Sequence, residues 1–376
     1  MSVAPGAVPP SSQPADRTRL WLGTYPPDGP DGAADRGEGI WRLDLDPATG
    51  TLSGVLAAAC AAPSFLALSA DGATLYAVGE TTPGTVSCFA VGPDGALALR
   101  QRVAGGGDAP CHLLLDPAGR ALYVTNYGDG SVGVLTLAPD GGFGADVLAA
   151  GGPVQVLPGR GSGPVARRQD GPHAHSSILT PDGAHLLVAD LGSDELRLFG
   201  VLADGLLVDE GVGFRFAPGT GPRHLAVGPG GHLYAVGELS VTVHVLAWDP
   251  GTGTARQVQV LPACRSPRVS GDVVYPAHIV VHDRHVLVSV RGADVLARFA
   301  VHDGGARLEH LGDVPVGGAW PRHFAVVDGG PGRADGPGAL TVVAAQESGV
   351  VTVLGAAGSA VGPGLRVPFP ACVVQG

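Results

Sequence analysis

The sequence predicts an all-β chain, a seven-bladed β-propeller of four-stranded blades, and three observations carry that reading. A hairpin unit recurs at spacings of roughly 45 to 65 residues, the period of a propeller blade. Each copy leads into further short apolar runs, four strands to a unit, with no helical pattern of useful length between them. The chain then closes on an apolar segment, PACVV, that has lost its own partners.

The clearest copy is Gly221 to Ser240, GPRHLAVGPGGHLYAVGELS. A first run, Leu225 to Val227, enters a Gly-Pro-Gly-Gly turn, and a second, Leu233 to Val236, returns toward Glu238. A hairpin sets the start of its first strand beside the end of its second. Arg223 and Glu238 are therefore predicted neighbours, although about 15 residues separate them.

Composition agrees. Of 376 residues, 45% are hydrophobic and 15% charged, which suits many buried strands and excludes wholesale disorder. The 61 glycines and 33 prolines fall between apolar runs, where turns belong. A net charge of −11 with scattered basic residues excludes a nucleic-acid partner, yet leaves room for a local arginine pocket that takes an anionic small molecule. Five cysteines, odd in number and without CxxC spacing, point to reduced thiols and a cytoplasmic protein. The N-terminus has neither a basic nor an apolar signal region, and no run is long enough to span a bilayer, so no membrane partner is expected. Residues 1–17 read as a disordered tail and 18–376 as one domain, a monomer or small homo-oligomer.

After the tail, Leu20 to Tyr25 and Ile40 to Leu45 read as two strands flanking the polar loop DGPDGAADRGEG. Pro63 opens PSFLALSADGATLYAVGE, Pro110 opens PCHLLLDPAGRALYVTNY, and His173 opens HAHSSILTPDGAHLLVADL. Pro222 opens the unit described above, Pro276 opens PAHIVVHDRHVLVSVRG, and Pro321 opens PRHFAVVDGG, whose turn is extended by PGRADGPG before ALTVVAAQES. Third strands follow at Val86 to Val91, Val132 to Leu137, Leu196 to Val201, Val243 to Trp248, Val295 to Val301 and Val350 to Leu354. If Pro370 to Val374 pairs beside LWLGTY, the C-terminus supplies the inner strand of a seventh blade and joins the ring ends. The insert Gly151 to Gly171, with Arg160, Arg167 and Arg168, is either a wall over the same face or a solvated loop.

The hairpin argument, applied to every blade, collects polar residues on one rim around the central channel. They are Ser64 with Glu80, His112 with Asn126 and Tyr127, and His173 and His175 with Asp190. Arg223 and His224 with Glu238, His278 with Arg291, and Arg322 and His323 with Gln346 and Glu347 complete it. His112, His224, His278 and His323 share one position after the opening proline, as residues that hydrogen-bond a neighbouring blade would. His175 sits in a different string, HAHS, and stands as readily for a ligand contact. Asn126, Asp190 and Glu80 either cap turns or face a ligand. Arg223 and Arg291, at the mouth of inner strands, must be paired or face water in the channel. His112, Asn126, Asp190, His278, Arg322 and Glu347 are candidate substrate contacts. No GxSxG elbow and no third and fourth ligand after HAHS appear, so neither a serine hydrolase nor a metal or other cofactor is expected.

At these motifs the sequence resembles the seven-bladed propeller lactonase family, which includes propeller-type 6-phosphogluconolactonases and fungal carboxymuconate cycloisomerases. The strings PSFLALSADGATLYAVGE, PCHLLLDPAGRALYVTNYGDGSV, HAHSSILTPDG, GPRHLAVGPGGHLYAVGELSVTV, YPAHIVV with SVRG, and WPRHFAV with QES carry it from about residue 20 to the end. The resemblance implies an active site of His175, Arg223, Glu238 and Arg291. Ala174 departs from the family's usual proline, and Gly79 and Gly237 from its usual asparagine, which bears on rim rigidity. It further implies hydrolysis of a sugar-acid lactone, 6-phospho-glucono-1,5-lactone foremost, with an arginine on the oxyanion and His175 or Glu238 taking the proton from water. A second arginine, with Arg322 or the Arg160 to Arg168 loop, is left to hold a phosphate. A cycloisomerase using the same pocket and a non-catalytic interaction platform are the alternatives.

Overall fold

The computed structural model describes residues 17–25, 39–327 and 339–376. The expected tail up to residue 16, most of the loop after Tyr25 and the extension PGRADGPG lie outside the described residues. What is described forms seven four-stranded antiparallel sheets, each ordered from the axis outward. Blade 1 joins Pro370–Gln375 to Thr18–Thr24, Gly39–Asp46 and Thr51–Ala59. Blades 2 to 7 begin at the inner strands Leu66–Leu68, Pro110–Leu115, Ala174–Leu179, Pro222–Val227, Tyr275–His282 and Pro321–Val327. Ring closure follows the sequence expectation: Leu22 pairs with Val373 and Leu20 with Gln375, in antiparallel register. Tyr25 N and Phe369 O add a 2.9 Å bond at one end of this pairing.

The second strand of each blade has neighbours on both faces, which explains why it reads as an unbroken apolar run rather than an alternating one. Thr74–Gly79, Ala121–Asn126 and Leu340–Ala345 are buried at every position. The core is accordingly a set of clusters between adjacent blades, such as Tyr234, Val236 and Val243 of blade 5 against Val286, Val288 and Phe299 of blade 6. The cluster of Leu20, Leu22 and Leu43 with Val342, Val351 and Val353 joins blade 1 to blade 7 and completes the ring. The tyrosine of the Leu-Tyr pair fixes the spacing. Tyr76, Tyr123 and Tyr234 each donate to a glycine carbonyl in the next blade's outer turn, Gly141 at 2.6 Å, Gly205 at 3.0 Å and Gly305 at 2.9 Å. Each ring fills the interface while its hydroxyl stays satisfied.

The insert after blade 3's third strand is more ordered than either sequence reading supposed. A short helix, Ala145–Ala150, leads into it, and its residues Gln155–Leu157 form the outer strand of blade 3. The Gln169 amide donates to Leu191 O at 2.9 Å and accepts from Val165 N at 3.1 Å, which anchors the remainder.

Below the mouth, the channel is plugged by aromatic rings. The His278 and His323 rings stack at 3.7 Å, Phe65 lies 4.3 Å from the His112 ring, and His224 Nδ1 is 2.8 Å from His278 Nδ1. The recurring histidines also tie blades together, as their position suggested. His112 Nδ1 accepts from Ser177 N at 3.4 Å, and His323 Nδ1 accepts from Val373 N at 3.3 Å. An imidazole that accepts at Nδ1 must be neutral there. Burial, reinforced by the Arg223 charge, holds His112 and His323 down to about 3, the same two influences push His175 and His224 well below the ordinary value, and burial with the neighbouring His323 and Arg223 does so for His278.

Two measurements test this packing. A Cβ on Gly23 would stand 1.9 Å from the Pro63 carbonyl oxygen, a backbone atom that cannot swing away. Gly23→Ala is expected to lower stability by about 1–3 kcal/mol, read from the denaturant midpoint at constant m, and an unchanged midpoint would contradict the close approach. The plug also sets a pH dependence. Between the ordinary 6.5 and about 3, the unfolded chain takes up protons on His112 and His323 that the native protein refuses. Stability is therefore full above that window and falls as pH drops through it, by about 1.4 kcal/mol per pH unit for each such imidazole. A urea midpoint that stays flat across the window would show that the plug is not neutral.

Candidate active site

The pocket lies where the inner strands begin, and it is built by irregularities in them. The register skips between Ala174 and Ser176, between Pro222 and Leu225, and between Pro321 and His323. The residues inside these bulges are His175, Arg223 with His224, and Arg322. In a regular strand, neighbours such as Arg223 and His224 face opposite sides. Here both line one cavity, together with Ser64, Phe65, Cys111, Arg322, His323 and Ala371. The free space is about 10 Å³, room for one water. The chain enters the inner strands through left-handed residues before proline, among them Ala62, Ala109 and Trp320 with φ of 44°, 50° and 64°. Such strain in non-glycine residues clusters where geometry is functional.

Arg223 and Glu238 are neighbours, as the hairpin requires, with Arg223 Nε 2.9 Å from Glu238 Oε2. The ion pair is larger than that hairpin. Arg291 Nη2 of blade 6 reaches the same oxygen at 2.6 Å, and Arg168 Nη2, from the insert, reaches Oε1 at 2.6 Å. Burial alone would raise the Glu238 carboxyl, but Arg291, Arg223 and Arg168 together hold it well below the usual carboxylate range. The arginines have further supports. Arg223 Nη1 donates to Ala277 O at 2.7 Å, and Arg291 Nε donates to Tyr275 O at 3.2 Å. Tyr275 lies beneath the Arg168 and Arg291 guanidiniums at 5.2 and 5.6 Å, and Trp320 lies 5.3 Å from that of Arg291. Such stacking holds a cation without neutralising it.

His175 is buried beside this cluster, its Nδ1 3.9 Å from Cys111 Sγ and its ring edge-on to Tyr127 at 5.6 Å. Arg322 contacts residues outside its own blade. Its Nη2 lies 3.6 Å from Glu80 Oε2 of blade 2, and its guanidinium lies 5.0 Å over the Tyr25 ring. Three cations on one carboxylate, plus Arg322 with Glu80, leave the mouth locally positive in a chain of net charge −11.

His175, Arg223, Glu238 and Arg291 therefore converge. The other sequence candidates divide. His112 and His278 belong to the aromatic plug beneath the mouth. Asn126 donates to Ser131 Oγ at 3.1 Å, and Asp190 Oδ1 accepts from the His173, Gly192 and Ser193 amides at 2.8, 3.1 and 3.1 Å. Both are fully buried turn supports, the capping role weighed for them in the sequence. Glu347 is exposed at the rim, where Asp294 and Arg291 are its charged neighbours. Arg160 and Arg167 are exposed, and of the insert's arginines Arg168 is the one that reaches the site. Sequence reasoning missed the aromatic floor. Its signal was an aromatic residue before the opening proline, in YPAH and WPRH. Among the described residues, no group of three or more His, Cys, Asp or Glu is arranged to hold a metal ion, and no helix is long and apolar enough to cross a membrane.

Comparison with known proteins follows the same outline. The family described as "Lactonase, 7-bladed beta-propeller" matches residues 19–360. A 6-phosphogluconolactonase of Bacillus subtilis (strain 168) is 31% identical over 308 residues, 81% of this chain and 83% of that protein. A 6-phosphogluconolactonase of Formosa agariphila is 29% identical over 274 residues, 70% of this chain and 74% of its own length. Among solved structures, a periplasmic gluconolactonase of Pseudomonas aeruginosa superposes with a TM-score of 0.81 at 28% identity, over 96% of this chain and 99% of that one. With its seven blades, its converging His175, Arg223, Glu238 and Arg291, and this match over nearly all its length, the chain belongs to the seven-bladed β-propeller lactonase family.

Proposed function

We propose that this lactonase opens a six-membered sugar-acid lactone bearing an anionic group, with 6-phospho-glucono-1,5-lactone the leading substrate and 6-phosphogluconate its product. The observation that carries the reading is an excess of guanidinium groups around Glu238, beside a buried neutral imidazole. The names of the Bacillus and Formosa relatives support the phosphorylated substrate. The Pseudomonas structure, named for a gluconolactone, keeps the unphosphorylated sugar acid as the comparison to run.

The ionisation of the two candidate bases separates their roles. Glu238, held as a carboxylate by three cations, is a poor proton acceptor; it orients Arg168, Arg223 and Arg291. Burial and the Arg223 charge keep His175 neutral, with an unprotonated ring nitrogen, and the Glu238 carboxylate beside it favours the imidazolium that forms when that nitrogen takes a proton. Water activated by His175 attacks the lactone carbonyl carbon. The negative charge then forming on the carbonyl oxygen is met by Arg223 and Arg291, preorganised in a desolvated mouth where their field is strong. Arg168 is the most exposed of the three and sits on the insert, and it takes the phosphate.

A spectrophotometric assay of ring opening, run with and without the phosphate, tests this. His175→Asn is expected to lower kcat by about 10²- to 10⁴-fold, the usual contribution of a positioned base. Arg168→Ala is expected to raise KM for the phosphorylated lactone more than for the plain one. Equal effects on both lactones would remove Arg168 from phosphate recognition. Turnover of carboxymuconate with none of either lactone would replace hydrolysis by cycloisomerisation.

A further inference from the structure

The hexapeptide Leu-Tyr-Ala-Val-Gly-Glu occurs twice, at 75–80 in blade 2 and 233–238 in blade 5. Each copy carries its glutamate just past the end of a second strand, on blades that stand across the channel from one another. The same local sequence meets opposite surroundings. Glu238 touches three guanidiniums. Glu80, 9% exposed, has an Oε2 that is buried and without a hydrogen-bond partner among the described residues. Arg322 Nη2 is 3.6 Å from that oxygen, too far for a hydrogen bond.

The remaining groups around Glu80 are the hydroxyls of Ser64 and Tyr25, the Arg223 charge from blade 5 and the Cys111 thiol from blade 3. Burial is the strongest influence on the Glu80 carboxyl and raises it, and Arg322, the Ser64 and Tyr25 hydroxyls and Arg223 together oppose that only in part. The cavity at the mouth is lined by neighbours of both glutamates, Ser64, Cys111 and Arg322 on one side and Arg223 on the other. Asn126 Oδ1 and Asp190 Oδ2 are also buried without a hydrogen-bond partner among the described residues, and the open oxygen of Glu80 differs from them in lying beside the cavity-lining Ser64 and Arg322. Two carboxyls whose surroundings drive their ionisation apart divide acid from base work.

We propose that Glu80 is the general acid of the reaction, the group that hydrogen-bonds the ring oxygen of the lactone and protonates it as the ring opens. The inference rests on the lactonase reading above. Water adds to C1 and gives its proton to His175. The tetrahedral oxyanion then collapses, the C1–O5 bond breaks with its electron pair on O5, and O5 takes the Glu80 proton to become the C5 hydroxyl. The new carboxylic acid and protonated His175 hold two protons between them. One returns to Glu80, and the other is released to solvent with the carboxylate product.

The test is Glu80→Gln in the full chain, assayed on the lactone and on the matching thiolactone, whose thiolate leaves without a proton. Glu80→Gln is expected to lower kcat on the lactone by about 10²- to 10⁴-fold with KM little changed, and to abolish the high-pH limb of the kcat profile. On the thiolactone the loss is expected to shrink to less than about tenfold. Glu80→Asp keeps the limb with its midpoint moved, which covers a glutamine variant that fails to fold. An unmoved high-pH limb, or equal losses on lactone and thiolactone, would reduce Glu80 to a support for Arg322 and overturn the proposal. A wild-type protein inert on every lactone would overturn the functional reading itself, and this proposal with it.

Discussion

Three guanidiniums share the carboxylate of Glu238, and the mouth of the propeller is organised around that contact. They come from the insert after blade 3, from blade 5 and from blade 6, so one side chain links three parts of the ring. Removing a buried partner from such a pair typically costs about 3–5 kcal/mol, because the remaining charge is left desolvated. Glu238 therefore has a structural duty whatever else the pocket does. Its ionisation follows from that duty, since a carboxylate held by three cations gives up its basicity.

The contrast with the layer beneath is one of charge. Just below the arginines, the axis is filled by imidazoles that are kept neutral by burial and by the field of Arg223 above them. A charged plug would repel the arginine layer. A purely apolar one would leave Ser177 N and Val373 N without acceptors. Neutral histidine meets both demands, which gives a physical reason for its recurrence at one position in four blades. His175 shares the environment but lies beside the arginines and the cavity neighbour Cys111, which is why it alone among these histidines is assigned to chemistry.

Repetition supplied the scaffold, and a strand irregularity repeated at the start of the inner strands of blades 3 to 7 shaped the pocket. Regular inner strands would turn Arg223 away from His224. The bulges let neighbouring residues face one cavity, and left-handed residues before the opening prolines steer the chain into it. The two copies of Leu-Tyr-Ala-Val-Gly-Glu diverge only in part. Their tyrosines do the same job in two interfaces, whereas their glutamates do different ones.

The sequence by itself determined the blades, the closure through PACVV, the rim and the pairing of Arg223 with Glu238, because all of these follow from period, strand alternation and the hairpin's return. It also placed His175 and Arg291 on that rim, and resemblance gave them an active-site role. Only the tertiary structure decided which rim residues face the cavity, and the reason is that neighbours from other blades set that outcome. Asn126 and Asp190 look like Glu238 in sequence but close turns, Asn126 through its amide nitrogen to Ser131 and Asp190 through one oxygen to backbone amides of its own blade. Arg322 leaves its own blade for Glu80, and Arg168 crosses from the insert to Glu238, contacts over 242 and 70 residues of chain that no local pattern encodes. Charge and burial at each site are sums over the whole ring. The same hexapeptide can therefore place one glutamate among cations and leave the other with an open oxygen.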